Sequence, residues 1–179
     1  MKTVTEQLAQ YACYHRDRRN IVTHLVGIPL IVLAIVTLLA RLELFTIGAL
    51  SVNAALLVLI AAVVYYVRLD TGLGLLMGVL LALCLWVGQQ IAAAPTWVWL
   101  SWGIGMFVVG WVWQFVGHYF EGRKPAFVDD LIGLVIGPLF VVAEVVFMLG
   151  FRRSLRHQVE DKVAELMPDV DDSESAASH

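Results

Sequence analysis

Apolar runs long enough to cross a lipid bilayer constrain this sequence more than any other feature. Residues 21–40 are apolar except for two threonines and His24. About twenty such residues span the hydrocarbon of a bilayer when they are helical. Three further runs of this kind occupy residues 45–67, 73–93 and 97–116, and a fifth apolar run covers residues 131–149.

The composition agrees with a membrane protein. The 179 residues are 60% hydrophobic and only 15% charged, whereas a soluble domain is roughly half apolar and a quarter charged. We therefore expect an all-α, polytopic helical bundle that forms one domain over residues 1–167, followed by a disordered acidic tail at 168–179. Short amphipathic helices at 3–14 and beyond Arg156 are predicted to lie at the membrane interface. Nothing in the composition indicates a nucleic-acid partner, and Cys13 and Cys84 are expected to remain unpaired.

The fifth apolar run has two possible topologies. It contains Gly137-Pro138 near its middle and Glu144 among valines, and a basic segment follows it. If the arginine-rich N-terminus is cytoplasmic, four crossings return residue His118 to the same side, as the positive-inside rule prefers. We therefore favour four transmembrane helices and a run that breaks at Gly137-Pro138 and re-enters, over a full fifth span.

Polar residues concentrate just after the fourth run, in the sequence QFVGHYFEGRKPAFVDDL at residues 114–131. On a helix, His118 and Glu121 lie on one face about a turn apart, and Gln114 lies one turn earlier on that face. This spacing suits a metal site or a proton-transfer pair. It is also the spacing of an ordinary polar helix end, so the functional interpretation needs support from elsewhere in the chain.

Three histidines provide that support. The topology brings His15, His24 and His118 to one side of the membrane. His15 and His24 are nine residues apart, or about 13 Å along a continuous helix, so either the chain breaks between Arg16 and Asn20 or there are two metal positions. A cap of the first span at Asn20 would indicate the break. Each histidine alone is typical of a membrane boundary, but the three together, with the nearby acids Asp17, Glu121, Asp129 and Asp130, favour a metal such as Fe(II) or zinc.

Several polar residues are candidates for supporting roles. Asn20 is predicted to orient the ring of His24, with Gln114 as a second outer partner. Arg123 and Lys124 serve either as membrane anchors or as a site for a substrate carboxylate. Glu144 is a candidate because a carboxylate in an apolar run is costly unless it faces the protein interior, whereas Asp129 and Asp130 could simply cap the helix that follows them.

Two blocks of the sequence resemble the signature blocks of a known family. They are Tyr-x3-His-x4-Asn-x3-His from Tyr11 to His24, with Gly27 and Pro29 following, and WVWQFVGHYFEGRKPAFVDDL; a TG-x5-GVLL stretch begins at Thr71. Together they are similar to the membrane-bound 2-hydroxy fatty acid dioxygenases of fatty-acid α-oxidation. The resemblance implies that Fe(II) and O2 convert a long-chain 2-hydroxy fatty acid into the acid one carbon shorter. It also implies that His15, His24 and His118 are needed for iron, with acidic residues at Glu121, Asp129 and Glu144.

The implied reaction predicts particular roles for this chain. A 2-hydroxy carboxylate can chelate Fe(II) through its hydroxyl and one carboxylate oxygen while the acyl tail lies between the membrane helices. Arg123 or Lys124 would then steer the carboxylate, and Glu121 and Asp129 would assist catalysis. The site would face the cytoplasm, in the cytoplasmic membrane of a bacterium or the endoplasmic reticulum of a eukaryote. The alternatives are a non-enzymatic membrane scaffold or lipid-binding protein; the number of irons, the acyl length and the oligomeric state stay open.

Overall fold

A computed structural model describes residues 2–48, 50–122 and 132–168 of the chain. Seven helices and one small hairpin make up these residues, so the predicted all-α class is confirmed. In chain order they are α1 Val4–Ala12, α2 Arg18–Ala40, β1 Glu43–Ile47, β2 Leu50–Asn53, α3 Ala54–Leu69, α4 Thr71–Ala92, α5 Thr96–Glu121, α6 Ile132–Met148 and α7 Arg153–Leu166.

The N-terminal segment consists of a short capped helix and a turn. The side chain of Thr3 accepts a hydrogen bond from the backbone of Glu6, and the Glu6 carboxylate accepts one from the backbone of Thr3, which starts α1 as a capping box. The chain then turns before α2, as the separation of His15 from His24 requires. The cap of α2 is Asp17, whose side chain accepts a hydrogen bond from the backbone of Arg19. The prediction that Asn20 caps the span is wrong, because the helix begins at Arg18 and Asn20 is completely buried inside it.

The second predicted span is replaced by a hairpin and a shorter helix. Residues 43–53 pair as an antiparallel hairpin with a turn at Gly48, which has a φ of +60°. Helix α3 begins only at Ala54, where the side chain of Asn53 accepts a hydrogen bond from the backbone of Leu56. Its 16 residues extend about 24 Å, less than the roughly 30 Å hydrocarbon core of a bilayer. By length and composition, the described residues contain three helices able to cross a membrane, or four if α6 and α7 count as one bent span.

Helices α2 and α5 form the closest pair in the bundle. Gly103, Gly110 and Gly117 recur every seven residues along α5 and are buried. Ile31 of α2 lies where a side chain on Gly110 would project, and Leu38 of α2 occupies the corresponding place beside Gly103. Since glycine has no side chain, these positions allow the two backbones to approach closely. The glycine stripe therefore fixes how the two long helices meet.

Helix α6 is continuous through Gly137-Pro138, so the predicted break at that pair is wrong. The chain instead turns after Met148, where Gly150 and Arg152 have φ values of +83° and +53°, and α7 leaves at 120° to α6. The Tyr66 hydroxyl near the end of α3 donates to the backbone oxygen of Val135 in the first turn of α6 (2.7 Å). Beyond the other end of α6, Arg152 forms an ion pair (2.5 Å) with Asp70, which is the residue directly after α3.

These contacts place both ends of α6 at the end of the bundle where α3 gives way to α4. The same end carries α1 and α7, which pack together through Leu8, Ala9, Leu155 and Val159 in the main apolar core. Helix α6 completes that core with Ile136, Leu139 and Phe140. The result is a cap of three helices over the start of α2 and the end of α5, where two of the three histidines lie.

Candidate metal centre and apolar cavity

The structure brings His15, His24 and His118 together at this end of the bundle. His15 lies in the turn after α1, His24 in the second turn of α2, and His118 in the last turn of α5. One ring nitrogen from each residue lies within 4.8 Å of those of the other two. Within residues 2–48, 50–122 and 132–168, this is the only group of three or more side chains spaced to share a metal ion.

Backbone carbonyls determine the tautomers of two of these rings. Nδ1 of His15 donates to the carbonyl of Tyr11 (2.8 Å), and Nδ1 of His24 donates to the carbonyl of Asn20 (2.9 Å). A carbonyl only accepts, so Nδ1 carries the proton and Nε2 of each neutral ring carries a lone pair. These two Nε2 atoms are 3.0 Å apart. Their lone pairs repel unless a cation or a proton lies between them.

The donor set fits a metal ion. Two nitrogens about 2.1 Å from one ion and about 90° apart around it are separated by about 3.0 Å, which matches the His15–His24 pair. His118 is 7% exposed, and its Nδ1 has no hydrogen-bond partner among the described residues. Burial also lowers the pKa of His15 to about 4, which keeps that imidazole neutral at physiological pH. Neutral imidazole is the form of histidine that binds metals.

Glu121 ties the last turn of α5 to the turn that carries His15. Its Oε1 accepts a hydrogen bond from the backbone N–H of Arg16 (3.0 Å), and its Oε2 accepts from the backbone N–H of Asp17 (2.8 Å). The side-chain amide of Asn20 donates a third bond to Oε2, also at 3.0 Å. Both carboxylate oxygens therefore hold the turn before α2. We call these three hydrogen bonds the Glu121 latch.

The three residues predicted to support the histidines from outside, Asn20, Gln114 and Glu144, also lie near them. Asn20 orients His24 through its backbone carbonyl, while its side chain belongs to the Glu121 latch. Gln114 lies one turn before His118 and is 6% exposed. Glu144 lies on α6 and lines a second, more polar cavity, together with His15, Arg16 and Arg156. The predicted residues Arg123, Lys124, Asp129 and Asp130 lie outside the described part of the chain.

An elongated cavity of about 280 Å³ extends from the histidines between α2, α5 and α6. Its polar side chains cluster toward the histidine end, with Tyr11, His24, Gln114 and His118. The remaining lining is mainly apolar and ends at Ile35 on α2 and Phe107 on α5. His24 and Ile35 are eleven residues apart, so the cavity follows α2 for about 16 Å. It has the form of a site for an amphiphile with one polar end.

Tyr11 was not predicted as a site residue, although it begins the first sequence block. Its ring stacks on His15 with centroids 4.2 Å apart and planes within 3°. Its carbonyl accepts the proton of His15 Nδ1, and its side chain lines the cavity. The available signal was its position four residues before His15 on a helical period. The structure adds that Tyr11 contacts both the histidine and the cavity.

Comparisons with known proteins show the family of this chain. A family model described as "2-hydroxy-palmitic acid dioxygenase Mpo1-like" matches residues 1–149. The 2-hydroxy-palmitic acid dioxygenase MPO1 of Saccharomyces cerevisiae is 35% identical over 168 residues, which cover 89% of this chain and 91% of the yeast protein. No solved structure matches the chain. The two sequence matches show that the chain belongs to the Mpo1-like family.

Proposed function

We propose that this chain is an Fe(II)-dependent dioxygenase that converts 2-hydroxy fatty acids into fatty acids one carbon shorter. The observation that carries the proposal is the placement of three buried histidines at the polar end of an apolar cavity. Imidazole ligands with positions left open suit ferrous iron in oxygen chemistry. A cavity with one polar end suits a molecule with a carboxylate, a neighbouring hydroxyl and an alkyl tail.

The proposed reaction balances without an external reductant. One 2-hydroxy acid, R–CH(OH)–COOH, and one O2 give R–COOH, CO2 and H2O. The C1–C2 bond breaks, C2 is oxidised from alcohol to carboxylic acid, C1 leaves as CO2, and O2 takes up the four electrons. Iron, when bound, supplies oxygen activation and a charged centre for the hydroxyl and carboxylate.

The chain's own residues hold and orient the reacting groups. His15, His24 and His118 would hold the metal, and the Tyr11 and Asn20 carbonyls keep two of the rings in the ligand tautomer. The Glu121 latch keeps His15 beside His24 and is a positioning interaction. The apolar cavity aligns the tail and excludes water from the carbon that reacts. Glu144 would support His15 from the second, more polar cavity that both residues line.

The residues after Gly122 complete the proposal. Arg123 and Lys124 follow the latch residue Glu121 by two and three positions, so their cations are placed in sequence to attract a carboxylate toward the histidines. Asp129 is proposed to assist catalysis. These roles rest on the sequence pattern and on the site that precedes it.

The contacts of α6 support a re-entrant topology for the last apolar run. Tyr66 binds the start of α6 and Asp70 pairs with Arg152 after its end, so both ends lie beside the last turn of α3. We propose four crossings by α2 to α5, with the short α3 tilted little, and α6 inserted from the histidine side. That side would be cytoplasmic. The chain would form one domain over 1–167; of the predicted tail at 168–179, all residues after 168 lie outside the described part of the chain.

The decisive experiment compares the replacement of one ligand histidine with the replacement of a control histidine far from the site. His118→Ala should lose both bound iron and turnover, whereas His157→Ala, on an exposed site of α7, should retain both. Iron would be measured in protein purified after iron-replete expression. Turnover would be measured as pentadecanoate formed from 2-hydroxypalmitate under air. An iron-free wild-type protein that still binds fatty acids would favour the lipid-binding alternative, and a fully active His118→Ala variant would refute the assignment.

A further inference from the structure

Gln114 has an environment that the metal site itself does not explain. It lies on α5 four residues before His118, and its side chain is 94% removed from solvent, being only 6% exposed. It lines the cavity at the end that carries the histidines. Its amide nitrogen has no hydrogen-bond partner within the described ranges 2–48, 50–122 and 132–168. A buried amide without a partner is unfavourable, so a ligand that accepts a hydrogen bond there would relieve that cost.

The amide nitrogen of Gln114 lies between α2 and α5, beside the cavity. The amide packs directly over Gly27 of α2, where an added side chain would overlap with the amide nitrogen. The same added side chain would lie 2.8 Å from the carbonyl of Gly110 on α5. The absence of a side chain at Gly27 makes room for the amide between the two helices. Rotation about the terminal bond of the side chain would turn this nitrogen from Gly27 toward the cavity, where a ligand oxygen would accept its hydrogen bond.

The chemistry of the cavity identifies the kind of group that Gln114 would bind. A carboxylate has about four acceptor positions and no donor, whereas the amide group of glutamine offers two donors. A 2-hydroxy acid that chelates a metal with its hydroxyl and one carboxylate oxygen leaves the second carboxylate oxygen without a partner. Gln114 lies one turn from His118 toward the apolar part of the cavity, beside the position of that head group.

We propose that Gln114 donates a hydrogen bond to the substrate carboxylate and so selects 2-hydroxy acids over other long-chain amphiphiles. This inference rests on the proposed function and names the head-group contact within it. Gln114 would act by binding, separately from the ligands that hold iron. The iron content of the protein should therefore not depend on Gln114.

The test compares two ligands with and without the amide. Fe(II)-loaded wild-type protein and the Gln114→Met variant are titrated without oxygen, so that binding is measured apart from turnover. The ligands are 2-hydroxypalmitate and 1,2-hexadecanediol, which keeps the C2 hydroxyl but lacks the carboxylate. Gln90→Leu, at an exposed position of α4, is the control for loss of a membrane-helix amide.

We expect Gln114→Met to weaken 2-hydroxypalmitate binding by about tenfold to a hundredfold, as for loss of a hydrogen bond to a charged group. Binding of the diol should change much less, and iron content and the Gln90→Leu variant should match wild type. Equal losses for acid and diol, loss of iron, or an unchanged affinity for the acid would each overturn the proposal. If Gln114→Met does not fold, Gln114→Ala gives the same comparison.

The same titration separates this inference from the function on which it rests. A wild-type protein that binds iron and 2-hydroxypalmitate, with a Gln114→Met variant that binds the acid equally well, refutes only the role of Gln114. A wild-type protein that binds neither iron nor the acid refutes the proposed function as well.

Discussion

Replacing Glu121 with glutamine tests whether this carboxylate positions the metal site or belongs to its ligands. Glu121 accepts hydrogen bonds from the backbone of Arg16 and Asp17 and from the side chain of Asn20. Arg16 and Asp17 directly follow His15. The carboxylate therefore holds His15 indirectly, through the turn, and the change to glutamine weakens that hold while leaving all three histidines in the chain.

The magnitude follows from the number of bonds that a glutamine retains. Its carbonyl can keep the two bonds made by Oε2, but its amide then faces the backbone N–H of Arg16, and two donors repel. One hydrogen bond to a charged group is lost, at about 1.5–3 kcal/mol, and the remaining two lose their charge assistance. Water reaches the half-buried carboxylate and offsets part of this cost. A net loss of about 1.5–3 kcal/mol corresponds to roughly tenfold to a hundredfold in affinity.

The assay is iron affinity, measured by titrating the metal-free protein with Fe(II) without oxygen. Glu121→Gln should bind the same amount of iron as wild type at saturation, with an affinity about tenfold to a hundredfold weaker. Excess Fe(II) should restore its activity. Glu165→Gln, an exposed ion-pair residue on α7, should behave as wild type. The positioning role is wrong if Glu121→Gln cannot be saturated with iron, or if its affinity is unchanged.

Three further predictions concern pH, chain length and topology. Burial lowers the pKa of His15 to about 4, so the stability that its neutral form gives the fold is complete above the unfolded pKa of about 6.5 and is lost as the pH falls toward 4. Between pH 7 and 5.5 the His15 ring should stay neutral, so a measured Fe(II) affinity that fell tenfold per pH unit through protonation of His15 would contradict the low pKa. Phe107→Trp fills the far end of the cavity and should lower kcat/KM for a 16-carbon substrate about tenfold relative to a 10-carbon one, and equal ratios would exclude this cavity as the tail site. Single cysteines at Ile132 and Leu149, in a protein without native cysteines, should react with an impermeant maleimide from the same side of the membrane, whereas labelling from opposite sides would show a full crossing.

The long helices were predictable because their apolar runs exceed the thickness of a bilayer. Helices α2, α4 and α5 begin and end within about five residues of the predicted runs. The hairpin before α3 was not predicted, because residues 45–53 are mainly apolar and lead without a charged residue into the helix that follows. Asn53 was the signal that could have divided that run, since an asparagine before an apolar segment is a typical helix cap. Pro138 led to the opposite error, since a break was predicted there and α6 accommodates the proline as a continuous helix.

The candidate site was predictable in its residue types and in the need for a chain break between His15 and His24. What the spacing did not predict was the role of each outer residue. Glu121 lies on the same face of α5 as His118, but its hydrogen bonds run to the turn before α2. Asn20 was expected to cap α2 with its side chain and to orient His24; it does not cap the helix, and its backbone carbonyl is the group that binds His24. Such roles depend on how helices that are distant in sequence pack together. The spacing of residues within one helix gives no information about that packing.

The packing also explains why the three histidines have different structural support. His24 and His118 are carried by α2 and α5, whose separation is fixed by the glycine stripe of α5. A side chain at Gly117 would overlap with Thr23 and with the side chain of Asn20, so this glycine lets α5 pack closely against α2 beside the histidines. His15 lies in a turn and depends on the Glu121 latch and on stacking with Tyr11. The centre therefore combines two ligands on rigid helices with one ligand on a latched segment, and metal binding should stabilise that segment most.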